Sequence, residues 1–228
     1  MSYGIAGLAV SLTFIAALTS CNEPVANDLV ANDERPARSW FLSPAGVSVL
    51  DGSTGRRVAE ITLPDWQWAG EPYSCDPALA VGPRGEALVT SDVVPTLWRI
   101  DPVSLAVTMH QPVLDADSEK DVGFTGLVYS RTHNAYFGVS YGGSLWRIDP
   151  LLRRAQKVAL DAPVAGACHI TLRRPERRRP SGLCVLGREG MLTVELAPDQ
   201  RSGSVRVRLP CVAPVGEAAS SSDRSRAR

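Results

Sequence analysis

The chain has 228 residues, 44% of them hydrophobic, which is enough for one sizeable core or two small ones. Lys plus Arg and Asp plus Glu each total 24, so the formal net charge is zero. That balance excludes a general attraction to nucleic acid or to an anionic surface, and any electrostatic role has to come from uneven placement of charge.

The first twenty residues, MSYGIAGLAVSLTFIAALTS, carry no charged group and hold an apolar run from Ile5 to Leu18. That length suits the apolar region of a signal peptide better than a membrane-spanning helix, which needs about 20 apolar residues. The next four-residue window, Leu18-Thr19-Ser20-Cys21, resembles the lipobox of bacterial lipoproteins. The resemblance implies cleavage before Cys21, lipidation of Cys21, a membrane anchor made of acyl chains, and a mature domain in the bacterial periplasm or on the cell surface. Met1 to Gly7 departs from the pattern in lacking the usual Lys or Arg. Residues 1–20 are therefore expected to be a signal peptide, and 21–38 a lipidated, polar and flexible tether.

From Ser39 the texture changes to short runs of Val, Ile, Leu, Thr and Trp separated by Gly, Pro, Asp and Ser, which is the signature of an all-β protein. The hexapeptide Leu-Trp-Arg-Ile-Asp-Pro occurs at 97–102 and again at 145–150. In each copy an apolar strand runs into Asp-Pro, where Asp accepts local backbone hydrogen bonds and Pro fixes φ, so a tight turn and a returning strand are expected. Weaker copies end at Asp51 and Glu195, giving steps of 50, 48 and 46 residues from Asp51 to Asp101, Asp149 and Glu195.

A period of that size with several strands per unit points to the blades of a β-propeller. The expected strands of unit one are 40–42, 47–50 and 58–63. Those of unit two are 78–81, 87–90, 96–100 and 106–110. Unit three follows with 125–129, 135–140, 144–148 and 155–160, and unit four with 167–172, 183–186, 191–196 and 204–209. Unit one lacks an inner strand, which Cys211 to Val215 would supply if the chain ends share a blade. The fold is thus read as an all-β propeller of about four four-stranded blades over 39–215, with ring closure left open and a disordered tail at 216–228.

LWRIDPVSLAV and LWRIDPLLRRAQKV resemble the repeat units of YVTN, NHL and quinoprotein-like propellers, over most of Ser39 to Pro210. The resemblance implies architecture rather than activity, because these folds host lactonases, lyases, dehydrogenase subunits and binding scaffolds.

In such a blade the a–b and c–d turns share one end of the molecule and the b–c and d–a connections the other. Sorted that way, Arg56, Arg84, Arg131, Arg153 and the Arg173 to Arg179 loop make one end basic, while Asp65, Asp76, Asp92, Asp115 and Asp161 make the other acidic. The arginine loop is a candidate contact for anionic head groups, weighed against a solvated loop tip. Asp115, Asp117, Glu119 and Asp121 alternate carboxylates that could wrap a calcium ion. The loop lacks the EF-hand glycine, however, so an exposed acidic loop is preferred and no cofactor is expected.

Trp66, Trp68 and Tyr73 lie in one d–a connection beside Asp76, and stacked aromatics there suit sugars, cations or peptide side chains. Trp98 and Trp146, in contrast, are expected to fill gaps between blades. His169 is the histidine expected to face the channel, and no nucleophile elbow or zinc-binding helix motif occurs. Cys75, Cys168, Cys184 and Cys211 allow three disulfide pairings, and the simplest hairpin register sets Cys184 opposite Thr171. The expected function is a ligand- or protein-binding scaffold with Trp66, Trp68, Tyr73, Asp76 and His169 at the site. The alternative is a metal-assisted hydrolase or lactonase in which Asp76, Asp92, Asp121 and His169 converge.

Overall fold

A computed structural model describes residues 37–70, 74–115, 123–173, 182–188 and 190–207. The candidate lipidation site Cys21, Tyr73, Asp117, Glu119, Asp121, most of the arginine loop and the 211–215 segment lie outside the described residues.

The described residues form strands and turns, with no helix among them. Unit one is an antiparallel sheet of β1 (Arg38–Ser43), β2 (Gly46–Asp51) and β3 (Arg57–Ile61). Unit two is an antiparallel sheet of β4 (Leu79–Val81), β5 (Ala87–Val89), β6 (Leu97–Ile100) and β7 (Val107–His110). After the short β8 (Val113–Leu114), unit three runs through β9 (Gly126–Ser130), β10 (Ala135–Val139), β11 (Leu145–Ile148) and β12 (Arg154–Leu160). Unit four follows with β13 (His169–Arg173), β14 (Gly182–Gly187), β15 (Gly190–Leu196) and β16 (Ser202–Val207). These positions match the strands expected from the repeat within two or three residues.

Two pairings were not legible in the repeat. β8 adds in parallel to the outer strand β12, Val113 opposite Arg154, and β12 also pairs in parallel with β16 through Ala159 and Ser202. The second contact joins units three and four into one continuous sheet.

The Asp turns form as their chemistry requires. Asp101 accepts hydrogen bonds from the Val103 and Ser104 amides at 2.9 and 2.8 Å, and Asp51 accepts from those of Ser53 and Thr54 at 3.1 and 2.8 Å. Each of these outer turns ends on a residue with φ near +60°, which is Gly55, Leu105, Leu152 or Gln200 in the four units. A side chain in that region costs about 1–2 kcal/mol, so in three of these turns packing and hydrogen bonding hold a conformation that only glycine adopts freely.

The core sits between the units. Trp40, Val47, Val49 and Ile61 of unit one pack with Ala87, Val89, Trp98 and Ile100 of unit two. Leu88 and Leu97 pack with Tyr136, Trp146 and Ile148 of unit three. Phe137, Val139 and Leu145 pack with Ile170, Val185 and Val194 of unit four. The period-two alternation of a strand explains the repeated motif: its Leu faces the following unit, and its Trp and Ile face the preceding one. Trp98 and Trp146 are both essentially inaccessible, as expected of gap-filling residues.

Candidate functional site

The alternating strands put the β4–β5, β9–β10 and outer-strand turns at one end. Contacts between units confirm a common orientation there: Arg38 Nε donates to Pro102 O at 3.4 Å, Tyr136 Oη donates to Glu86 Oε1 at 3.5 Å, and Arg147 Nε donates to Gln200 Oε1 at 2.8 Å. Arg84, Arg131 and Arg153 lie in turns at this end, and Asp65 and Asp76 lie in the connection at the other. The expected separation of charge is not kept at the outer strands: Asp115 accepts from the Lys157 amide just after Val113 pairs with Arg154, and Ala159, two residues before Asp161, donates to Arg201 O at 2.8 Å, while Arg177 and Asp117 lie outside the described residues. Arg173 departs from its expected surface role, since it is buried with its Nη1 3.3 Å from Glu195 Oε1. It supports the sheet instead of meeting a head group.

At the acidic end the connection from β3 to β4 carries the aromatic pair. Trp66 and Trp68 are half-buried, with ring centroids 5.9 Å apart and planes tilted by 34°. Their loop is fastened at several points. Trp98 Nε1 donates to Pro64 O at 2.7 Å, Trp66 Nε1 to Thr90 O at 2.9 Å, and Ser91 Oγ to Gln67 O at 2.6 Å. The Asp92 carboxylate accepts from the Ala69 amide at 2.9 and 3.2 Å and from the Gly70 amide at 3.0 Å. Gly70 takes φ +63°, and a Cβ there would sit 2.7 Å from the Trp68 ring and 3.3 Å from Asp76 Oδ1. That close packing sets Asp76, an exposed carboxylate, beside the indole of Trp68.

The Cys75–Cys168 disulfide brings the remaining candidate to the same end. Its Cα atoms are 5.3 Å apart, and each half-cystine is followed by a titratable residue, Asp76 on one side and His169 on the other. Inner strand β9 packs against both β4 and β13, so the disulfide spans from unit two to unit four past unit three. Thr125 Oγ1 of unit three donates to Ala167 O next to it. Cys184 is also disulfide-bonded and lies opposite Thr171, the position expected from the hairpin register.

The structure thus brings Trp66, Trp68, Asp76 and His169 to one end and fixes three of them around one loop. It gives Asp92 a different task from the converging metal-assisted site considered above, because both its oxygens hold the loop amides. Among the described residues no three His, Cys, Asp or Glu side chains are grouped to hold a metal ion. Asp115, the described member of the calcium candidate, accepts a hydrogen bond from the Lys157 amide at 2.9 Å. Sequence reasoning missed Thr90 and Ser91, and it gave Trp98 and Asp92 other tasks than positioning this loop. The short Ser-Asp step after a strand was their only signal, and nothing local linked it to a loop more than twenty residues earlier.

The other histidines lie elsewhere. Burial lowers the pKa of His110, and burial together with the charge of Arg147 lowers that of His133. His133 stacks edge-on against Phe137 and shares a hydrogen bond with Ser130, so it belongs to the basic end.

No protein-family model matches the sequence, and no curated protein matches it. Among solved structures, the fold is similar to dihydro-heme d1 dehydrogenase NirN in complex with DHE, with a TM-score of 0.50 at 17% identity. It is equally similar to virginiamycin B lyase from Staphylococcus aureus, with a TM-score of 0.50 at 16% identity. The matches cover 76% and 72% of this chain but only 34% and 50% of those proteins, so the chain spans half of their length or less. At such identities the likeness concerns fold alone. The chain is an all-β protein built from repeated up-and-down sheets, with the architecture of a β-propeller.

Proposed function

We propose that this chain is a membrane-anchored, extracytoplasmic β-propeller that binds a ligand or partner protein through the loops of its acidic end. The carrying observation is the Trp66–Trp68 pair. Two half-buried indoles beside the exposed Asp76 are held in place by a buried carboxylate and two indole hydrogen bonds. Preorganised aromatic surface binds with little ordering cost, and the adjacent carboxylate favours a ligand with a cationic or hydroxyl-rich face. Anchoring through Cys21 is the part of the proposal that rests on the lipobox alone.

Titration of the intrinsic tryptophan fluorescence with tetramethylammonium, with neutral oligosaccharides and with basic peptides tests the binding reading. At least one probe should quench or shift the emission saturably, and Trp68→Ala should abolish that response while leaving the thermal midpoint close to the parent. If none of the three probe classes responds, or if Trp68→Ala responds like the parent, the reading is wrong. Labelling with a fatty-acid analogue in a bacterial host tests the anchor: incorporation should be lost in Cys21→Ser.

A further inference from the structure

The third residue of the repeated hexapeptide has no part in the packing between preceding units. It shares its strand face with Leu145, which packs toward unit four. Arg147 is consequently directed into the boundary between units three and four, flanked across the sheet by Phe137 and Gln156. There it lines a cleft of about 250 Å³ with Asp149, Arg153, Arg154 and Gln156. This cleft is at the basic end, remote in the fold from the aromatic loop.

Three arginines line the cleft with one aspartate, and that carboxylate faces its own turn. Asp149 accepts from the Leu151 and Arg153 amides at 2.9 Å each and from the Arg154 amide. Among the described residues none of the three arginines is in an ion pair, whereas Arg57, Arg84 and Arg173 are. The three are nevertheless held in place. Arg147 Nε donates to Gln200 from unit four at 2.8 Å, leaving the ends of its planar fork for another acceptor. The backbone on either side of the Arg153–Arg154 bond is pinned by β8, with the Val113 amide donating to Arg153 O at 2.9 Å and Val113 opposite Arg154. The charge of Arg147 is also felt by His133, whose pKa it helps to lower after burial.

We propose that this cleft is a binding site for a tetrahedral oxyanion of the phosphate class. Clustered like charges repel, and an anion that accepts from two or three guanidinium groups relieves that repulsion while using their fork geometry. The volume lies below the roughly 300–1,000 Å³ of sites that enclose drug-sized ligands. It therefore suits a phosphoryl group entering alone, whether as free phosphate or as the exposed head of an anionic lipid. Gln156 adds a neutral donor able to bind a phosphoryl oxygen without further charge.

The test is titration of the full chain in detergent with inorganic phosphate at constant ionic strength, read by calorimetry and by the thermal midpoint. Phosphate should bind saturably and raise the midpoint where equimolar chloride does not. Arg147→Gln should weaken binding at least tenfold, and Arg57→Gln, at the start of β3 in unit one, should leave it unchanged. Arg153→Gln and Arg154→Gln change exposed side chains, so they test the site even if Arg147→Gln folds poorly, and each should weaken binding several-fold. Equal affinity in all of these variants, or equal loss in Arg57→Gln, would overturn the proposal, as would no phosphate binding by the parent. Vesicles containing phosphatidic acid, compared with phosphatidylcholine alone, separate the sources. Arg147-dependent vesicle binding that phosphate competes away identifies a lipid head group. Phosphate binding without it identifies the free anion.

Discussion

Replacing Asp92 by Ala tests whether one buried side chain organises the aromatic loop. The substitution removes the acceptor for two backbone amides, those of Ala69 and Gly70. Hydrogen bonds to a charged group contribute about 1.5–3 kcal/mol each. The Gly70 amide is buried and cannot turn to water, so its full share should be lost, whereas Ala69 is exposed and recovers part of its share by hydration. Together these give about 2–4 kcal/mol of destabilisation for Asp92→Ala. Asp92→Asn should cost less, about 1–2 kcal/mol, because one oxygen still serves Gly70 while an amide donor faces Ala69. Urea unfolding supplies the free energies, and hydrogen exchange at Ala69 and Gly70 supplies the local readout. The expected signature is faster exchange of both amides together with a shifted Trp66 and Trp68 emission. A stability within about 0.5 kcal/mol of the parent for Asp92→Ala, with unchanged exchange, would refute the reasoning, since exposed surface changes usually stay within that range.

The two copies of the motif offer an internal control. Trp98→Phe removes an indole hydrogen bond to Pro64, but the buried Trp146 Nε1 has no hydrogen-bond partner among the described residues, so Trp98→Phe should be more destabilising than Trp146→Phe by about 1 kcal/mol in urea melts. Equal costs would show that the Pro64 contact contributes nothing. Removing the Cys75–Cys168 bridge with a Cys75→Ser/Cys168→Ser double variant opens a loop with a sequence separation of 93, for which chain entropy predicts a loss of up to about 4–5 kcal/mol. An unaltered urea midpoint would contradict the bridge.

The turn carboxylates give a pH dependence. The Ser53 hydroxyl and the amide and hydroxyl of Thr54 hold Asp51 well below the usual carboxylate range, and the Ser104 and Val103 amides lower Asp101. A depressed folded-state pKa contributes stability that is present above the unfolded value near 4 and lost as pH falls through the folded one. The thermal midpoint should therefore fall on acidification below about pH 4, and less steeply in Asp101→Asn. An identical acid limb in that variant would exclude the contribution of this turn.

Much of the candidate site was legible because aromatic residues in a connection between strands announce themselves by type and place. Trp66, Trp68 and Asp76 were found in that way. Asp92 shows the limit. Its residue type suggested a metal ligand, and only the approach of residues 69 and 70 to its carboxylate shows that it is a fastener. Arg147 shows the limit from the other side, because nothing in the repeat marks its arginine and only the neighbouring unit supplies Gln200 and a cleft.

What the sequence determined by itself is everything that depends on neighbours along the chain. The strand positions follow from alternation, the outer turns from Asp and Pro, and the length of the unit from the two hexapeptides. Tertiary structure alone decided which cysteines meet, how β12 and β16 join two units, which face of each repeat is buried against which neighbour, and which charges lack a partner. The physical reason is range. Backbone conformation and amphipathic pattern are set within a few residues, but a hydrogen bond, a disulfide or an uncompensated charge is defined by groups that only the folded sheets bring within a few ångströms of one another.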